Sequence, residues 1–269
     1  LDNIIKFHSR HPSNTNNKYE PVAVKEHMPD WYTKKEKYKK NKHTGLYELA
    51  FKNVGSSYSM GRVHTWKSCP AILDTFMSGY YLLTPCDIEI VKNDENNASS
   101  PYSVNLPEEW SKALSSYDIK TSGASHGGFC NMRGYEEGFP TPYGYEELHF
   151  RWFPNWSFQV PEGYTTLCTH PLNLNNLPFR TIGGFIDCSS EFVGPGNIPF
   201  FIEKNWHGLI PAGTPYMQVI PIKNESWSSE IIHYSKEEMI DHFNKKEKLN
   251  QLIHINKYKQ DYWLRKEYQ

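Results

Sequence analysis

Between Leu148 and Ile222 the apolar positions recur with a period of two. His149, Arg151 and Phe153 alternate with Phe150 and Trp152, and Trp156, Phe158 and Val160 lead into Pro161-Glu162-Gly163. Such alternation belongs to an extended chain, whose successive side chains point to opposite faces. The Pro-x-Gly device recurs at Pro211-Ala212-Gly213. Proline presets the first turn position and glycine takes the left-handed one, so each site predicts a tight hairpin turn. With further strands over 164–169, 198–203 and 214–222, the pattern predicts a mainly β (α+β) fold: a small β-barrel or β-sandwich built from hairpins.

Upstream the period differs. Cys69-Pro70 to Gly79 predicts one short helix, with proline at its first position, Ile72, Leu73, Phe76 and Met77 on one face, and Gly79 as a left-handed cap. Tyr80 to Val91 is dense in β-formers and predicts a strand pair or a strand bent at Pro85. Asp94 to Ser100 is a polar loop. Six glycines and two prolines between Gly123 and Gly144, interleaved with Phe129, Tyr135, Phe139 and Tyr143, exclude a helix there. They predict a long structured loop of the kind that carries function or an interface. Past Trp227 the pattern turns helical: Ser235 and Glu238 form a capping box, and Ile240, Phe243, Leu249, Leu252 and Ile253 form a broken apolar stripe. The expected organisation is an extended basic arm over 1–45, a single β-rich domain over 46–226 and a C-terminal helical segment over 227–269. Tyr258, Tyr262 and Trp263 on a charged background suit packing against a neighbouring subunit or back on the β-domain.

A chain of 269 residues, 38% hydrophobic and 15% aromatic, has enough apolar material for a large core. Its formal charge of -1 gives no overall attraction to nucleic acid or anionic lipid. The run Lys34, Lys35, Lys37, Lys39, Lys40, Lys42 is a local exception, diluted by Asp30 and Glu36. No stretch reaches the roughly 18 apolar residues that cross a bilayer, and Leu1-Asp2-Asn3 lacks a signal-peptide pattern, so a cytoplasmic or particle-associated location is expected. Cys69, Cys86, Cys130, Cys168 and Cys188 are odd in number and widely spaced, which points to buried free thiols rather than a metal or disulfide framework.

Phosphate-loop, dinucleotide, nucleophile-elbow and H-E-x-x-H motifs are absent, and the sequence specifies no cofactor. The candidate metal ligands are His126 and His149. Glu147 and His149 could share a strand face, with His126 or His170 completing a cupin-like oxygenase site. Ser125-His126-Gly127-Gly128 has a catalytic look, though a histidine in a glycine-rich loop more often serves a turn or an interface. Gln218 stands among apolar residues and needs buried partners.

Pro161-Glu-Gly-Tyr-Thr-Thr-Leu167, Gly184-Phe-Ile-Asp187, Phe192-Val-Gly194-Pro-Gly-Asn197 and Ile210 to Ile220 with Gln218 occur in the order and spacing of the hairpin core of trimeric dUTPases and dCTP deaminases. Residues 158–222 resemble that family. The resemblance implies that Asp187 lies by a sugar and positions an attacking water, and that Gln218 is the family's strand glutamine. Tyr164 and His170 are further candidate ligand-binding residues in the same stretch. The departures are His170-Pro-Leu-Asn173 where the family has Arg-Ser, and a charged helix where it has a glycine-rich closing arm. Without cations at a triphosphate, developing charge would go unstabilised. The whole chain also resembles a group of uncharacterised tailed-phage proteins, through Met28-Pro-Asp-Trp-Tyr32, Cys69-Pro-Ala-Ile-Leu-Asp74, Gly79-Tyr80 and Pro85-Cys-Asp87-Ile. The leading expectation is a non-enzymatic, oligomeric virion or infection-accessory protein acting through contacts with itself or other viral proteins. The alternatives are a nucleotide-binding or nucleotide-hydrolysing dUTPase-like protein and a metal-dependent cupin-like oxygenase.

Overall fold

A computed structural model describes residues 3–54, 57–94, 100–112, 128–135, 138–190, 194–252 and 257–269. The chain divides into two compact units, residues 1–27 with 79–224 and residues 28–78 with 225–269. The stretch 1–45 is shared between them, with its lysine-rich part in the second unit.

Strands dominate the described residues. In chain order they are β1 (Lys6–Ser9), β2 (Val22–Ala23), β3 (Leu49–Val54), β4 (Ser57–Arg62), β5 (Tyr80–Leu83), β6 (Ile88–Lys92), β7 (Tyr102–Asn105) and β8 (Cys130–Tyr135). There follow β9 (Leu148–Trp152), β10 (Trp156–Gln159), β11 (Tyr164–Thr169), β12 (Phe179–Thr181), β13 (Gly184–Ile186), β14 (Ile198–Ile202), β15 (Gly208–Ile210) and β16 (Pro215–Lys223). The helices are α1 (Asp30–Thr33), α2 (Pro70–Thr75), α3 (Glu108–Ser111), α4 (Lys236–Leu252) and α5 (Lys257–Asp261). The fold is mainly β.

In the first unit the strand orders are β13-β11-β16-β5-β2, β12-β14-β9-β8, β15-β6-β7 and the pair β1-β10, all antiparallel. Among the described residues no strand order closes on itself, so the architecture is one of open sheets sharing a core and not a closed barrel.

The two Pro-x-Gly turns form, with Gly163 at φ +85° and Gly213 at φ +81°. The strands they join, however, are not ladder partners. β10 pairs with β1 while β11 pairs with β13 and β16; β15 pairs with β6 while β16 pairs with β11 and β5. Each turn therefore carries the chain from one sheet to another. The bend at Pro85 does the same between β5 and β6. The two crossings β5-β6 and β15-β16 run side by side, and fully buried Thr84 ties them together. Its N–H donates to the Thr214 carbonyl (2.9 Å), its hydroxyl donates to the Pro211 carbonyl (2.8 Å) and accepts from the Thr214 N–H (3.0 Å), and its carbonyl accepts from Gly213 (2.8 Å). These bonds satisfy backbone groups that the break in the ladders would strand away from water.

The core is aromatic. Trp152 stacks on Phe200 (centroids 3.8 Å, 9°) and meets Phe179 at 5.2 Å and Tyr216, from the five-stranded sheet, at 5.1 Å. The Trp152 indole N–H donates to Thr181 Oγ1 (3.1 Å), which donates to the Tyr216 carbonyl (2.6 Å). Cys86, Cys130, Cys168 and Cys188 are buried free thiols and Cys69 is half-buried. Burial holds the thiol pKa values of Cys86 and Cys168 up at about 12 in each case, so these groups act as small apolar side chains.

In the second unit β3 and β4 form a hairpin, and α2 carries Pro70 at its start with Phe76 and Met77 buried after it. Trp31 packs edge to face on Tyr32 and Phe76, which meet each other at a tilt, and the Trp263 indole N–H reaches the Asp74 carboxylate (3.0 Å). The Ser235 N–H donates to Glu238 Oε2 (2.8 Å) and the Glu238 N–H donates to Ser235 Oγ (3.2 Å), the reciprocal cap expected from the sequence. No described helix is long and apolar enough to cross a membrane.

Candidate functional site

The strand ladders fix where the candidate residues stand. Asp187 follows Ile186, whose partner on β11 is Thr166, whereas Gln218 lies opposite Thr169 on the other flank of β11. Three residues along a strand are about 10 Å, and two strand spacings of about 4.8 Å separate the flanks. Asp187 is solvent-exposed at the end of its short strand. Gln218 is fully buried, and its Oε1 accepts the Leu172 N–H at 2.9 Å. The two residues do not share a cleft.

Gln218 is grouped instead with His170. The His170 ring contacts the Leu174 carbonyl through Nε2 (3.3 Å) and accepts the Thr181 N–H at Nδ1 (3.3 Å). Accepting at Nδ1 while donating at Nε2 is the pattern of a neutral imidazole. Together His170 and Gln218 fasten the connection after β11, whose residue Asn173 has a left-handed backbone (φ 62°). That is the physical use of the buried glutamine. The Tyr164 hydroxyl donates to Asn3 Oδ1 (3.1 Å), and Tyr164 pairs with Lys223 at the far end of β11 from Gln218.

His149 lies in another place. It is 7% exposed on β9 and meets Phe201 edge-on at 6.3 Å. Its neighbours Phe150 and Trp152 contact Phe200, so by strand alternation His149 and Phe201 face away from the core that His170 approaches through Phe179. Glu147 is exposed. Among the described residues no three His, Cys, Asp or Glu side chains gather as a metal site would require. His126 and the rest of Ser125-His126-Gly127 lie outside the described residues.

Burial pulls the His170 pKa down to about 4, with the Leu174 carbonyl opposing and Arg180 assisting. The unfolded state then binds the proton more tightly. Stability from this residue is fully present above the ordinary histidine pKa of about 6.5 and is lost as pH falls toward 4. The denaturation midpoint should therefore fall between pH 6.5 and 4, and His170→Asn should flatten that slope; an unchanged slope in the variant would refute the assignment. His11 and His27 are shifted down by burial as well and add to the same trend.

The first unit also contains a cavity of about 210 Å³ that the sequence did not signal, apart from Gly128 and Phe129 at the edge of the glycine-rich stretch. Trp110, Phe129, Phe153 and Pro154 wall it, and Arg10 and Lys112 bring positive charge to it. The His11 ring stacks on Trp110 (4.5 Å, 23°), and Arg10 donates to the Pro195 carbonyl. Small-molecule pockets commonly span about 300–1,000 Å³. The space therefore suits a group the size of one ring and is small for a whole nucleotide.

Comparison with known proteins adds little. No protein-family model matches the chain, and no curated protein matches it. Among solved structures it is similar to a mutant dUTPase from phage phi11 of S. aureus, a structure described as revealing the coordination of a structural Mg(II) ion. The identity is 10%, the match covers 55% of this chain and 98% of that one, and the TM-score is 0.24. A likeness of that degree carries no argument about this chain.

Proposed function

We propose that the chain is a non-enzymatic contact protein that assembles with copies of itself or with other viral proteins, in a virion or as an accessory of infection, through its C-terminal segment. The observation that carries this reading is the exposure of large apolar side chains between residues 227 and 264. Trp227 is 87% exposed, Ile231 82% and Ile232 65%, and Ile240, Phe243 and Leu264 are more than half exposed. Isolated apolar residues on a surface are ordinary, but a run of this density is the mark of a covered face. Burying each such side chain stabilises by roughly 1.5–3 kcal/mol.

Sedimentation equilibrium at micromolar concentration tests it. The intact chain is expected to be oligomeric, and Trp227→Ser with Ile231→Ser should weaken association at least tenfold, since about 1.4 kcal/mol already corresponds to tenfold. A chain that sediments as a monomer would count heavily against the proposal, and a variant that associates as well as the parent would overturn the segment's role.

A further inference from the structure

Charge is segregated along the chain. Residues 28–78 carry eight lysines and Arg62 against Asp30, Glu36, Glu48 and Asp74, within a protein whose net charge is -1. The structure gathers part of this excess into one face of the second unit. Tyr38 bridges to His64, Lys40 bridges to Tyr47, and Arg62 ends β4 two residues before His64. The bridges place Tyr38, Lys40, Tyr47, Arg62 and His64 side by side. Arg62 lies over the Tyr47 ring at 4.3 Å and over Tyr38 at 5.4 Å, and Lys40 lies over Tyr47 at 5.2 Å. The Tyr38 ring meets those of Tyr47 at 6.0 Å and His64 at 5.1 Å. Lys40 pairs with Glu36 (2.7 Å), whereas Arg62 has no carboxylate partner among the described residues. Lys40, Tyr47, Arg62 and His64 are exposed.

We propose that this face binds single-stranded nucleic acid, with Arg62 and the flanking lysines on phosphates and Tyr47 and Tyr38 against the bases. Stacked cations hold the tyrosine rings in place, and a guanidinium over a ring still presents its edge N–H donors to phosphate oxygens. Interleaved rings and cations are the shared chemistry of sequence-tolerant strand binding. An acidic protein surface would engage the cations without any use for the rings. The inference stands apart from the oligomer proposal, since none of these residues belongs to the segment 227–264.

Fluorescence anisotropy of the full chain with labelled oligo-dT and oligo-U of about 20 nucleotides tests it. Binding at 50 mM salt is expected. If about three to four phosphates are neutralised, raising the salt to 200 mM should weaken it roughly 20- to 50-fold. Tyr47→Leu should cost about 5- to 100-fold through lost stacking, and Arg62→Gln should weaken binding and reduce the salt slope by close to one contact. Lys37→Gln with Lys42→Gln, at a half-buried and an exposed position, gives a second variant should either of the others unfold, and it too should weaken binding. The DNA and RNA arms tell which strand is preferred. Absence of binding at 50 mM salt, equal displacement by polyglutamate of matched charge, or variants that bind like the parent would each overturn the proposal.

Discussion

Gly79→Ala is expected to destabilise the first unit by about 3–5 kcal/mol, a large share of the roughly 5–15 kcal/mol that holds a typical domain together. Two costs add at this position. The backbone is left-handed, φ +73°, where a β-carbon costs roughly 1–2 kcal/mol. That carbon would also stand 2.2 Å from the Val219 carbonyl oxygen and 2.9 Å from Ile220 Cγ1. A backbone carbonyl held in the β16 ladders cannot rotate aside, so β5 and β16 must move apart, and the bond from the Val24 N–H to the Gly79 carbonyl goes with them. Gly163→Ala is the control. Its φ is +85° with nothing within 4 Å of the added carbon, so it should show the backbone cost alone. Urea midpoints of the two variants decide the matter, and equal shifts would disprove the close approach.

Trp152→Ala should cost roughly 3–5 kcal/mol, because removal of a large buried side chain leaves a cavity that the surroundings only partly fill. The indole is fully buried, stacked on Phe200 and in contact with Phe179, Phe129 and Tyr216. Trp152→Phe separates packing from hydrogen bonding. It keeps a ring against Phe200 but takes the N–H from Thr181, whose hydroxyl still donates to Tyr216, so the loss should be nearer 1 kcal/mol from the bond plus part of the cavity term. Chemical denaturation followed by near-ultraviolet circular dichroism reads both effects. A Trp152→Ala protein with an unshifted midpoint would remove Trp152 from the centre of the core.

Local chemistry made several elements legible in advance. Pro70 opening α2, the Ser235–Glu238 cap and the left-handed glycines of both Pro-x-Gly turns depend on neighbours within a few residues, and all are present, whereas α2 stops at Thr75 with Phe76 as its cap, so that Gly79, though left-handed, does not cap it. The alternation over 148–160 likewise gave β9 and β10. The partners of those strands were not legible. A Pro-x-Gly turn looks the same whether it closes a hairpin or turns a corner between sheets, because the choice rests on which distant strand, β1 or β6, supplies the ladder.

The candidate residues show the same division. Gln218 was recognisable as a buried amide in need of partners, and its acceptor oxygen does meet the Leu172 N–H, 46 positions away in sequence. Asp187 and Gln218 belong to motifs of the one stretch 158–222, yet β11 lies between them. The cavity by Arg10, Trp110 and Asn155, and the stack of Arg62 on Tyr47, join residues with no shared motif. What the sequence determined by itself was the mainly β character, the turn and cap chemistry and the buried thiols, since these follow from side-chain type and short-range backbone preference. Only the tertiary structure decided which sheets the strands enter, which polar groups meet and where charge and aromatic faces collect. Those outcomes depend on pairing between distant segments, whose energies no local pattern encodes.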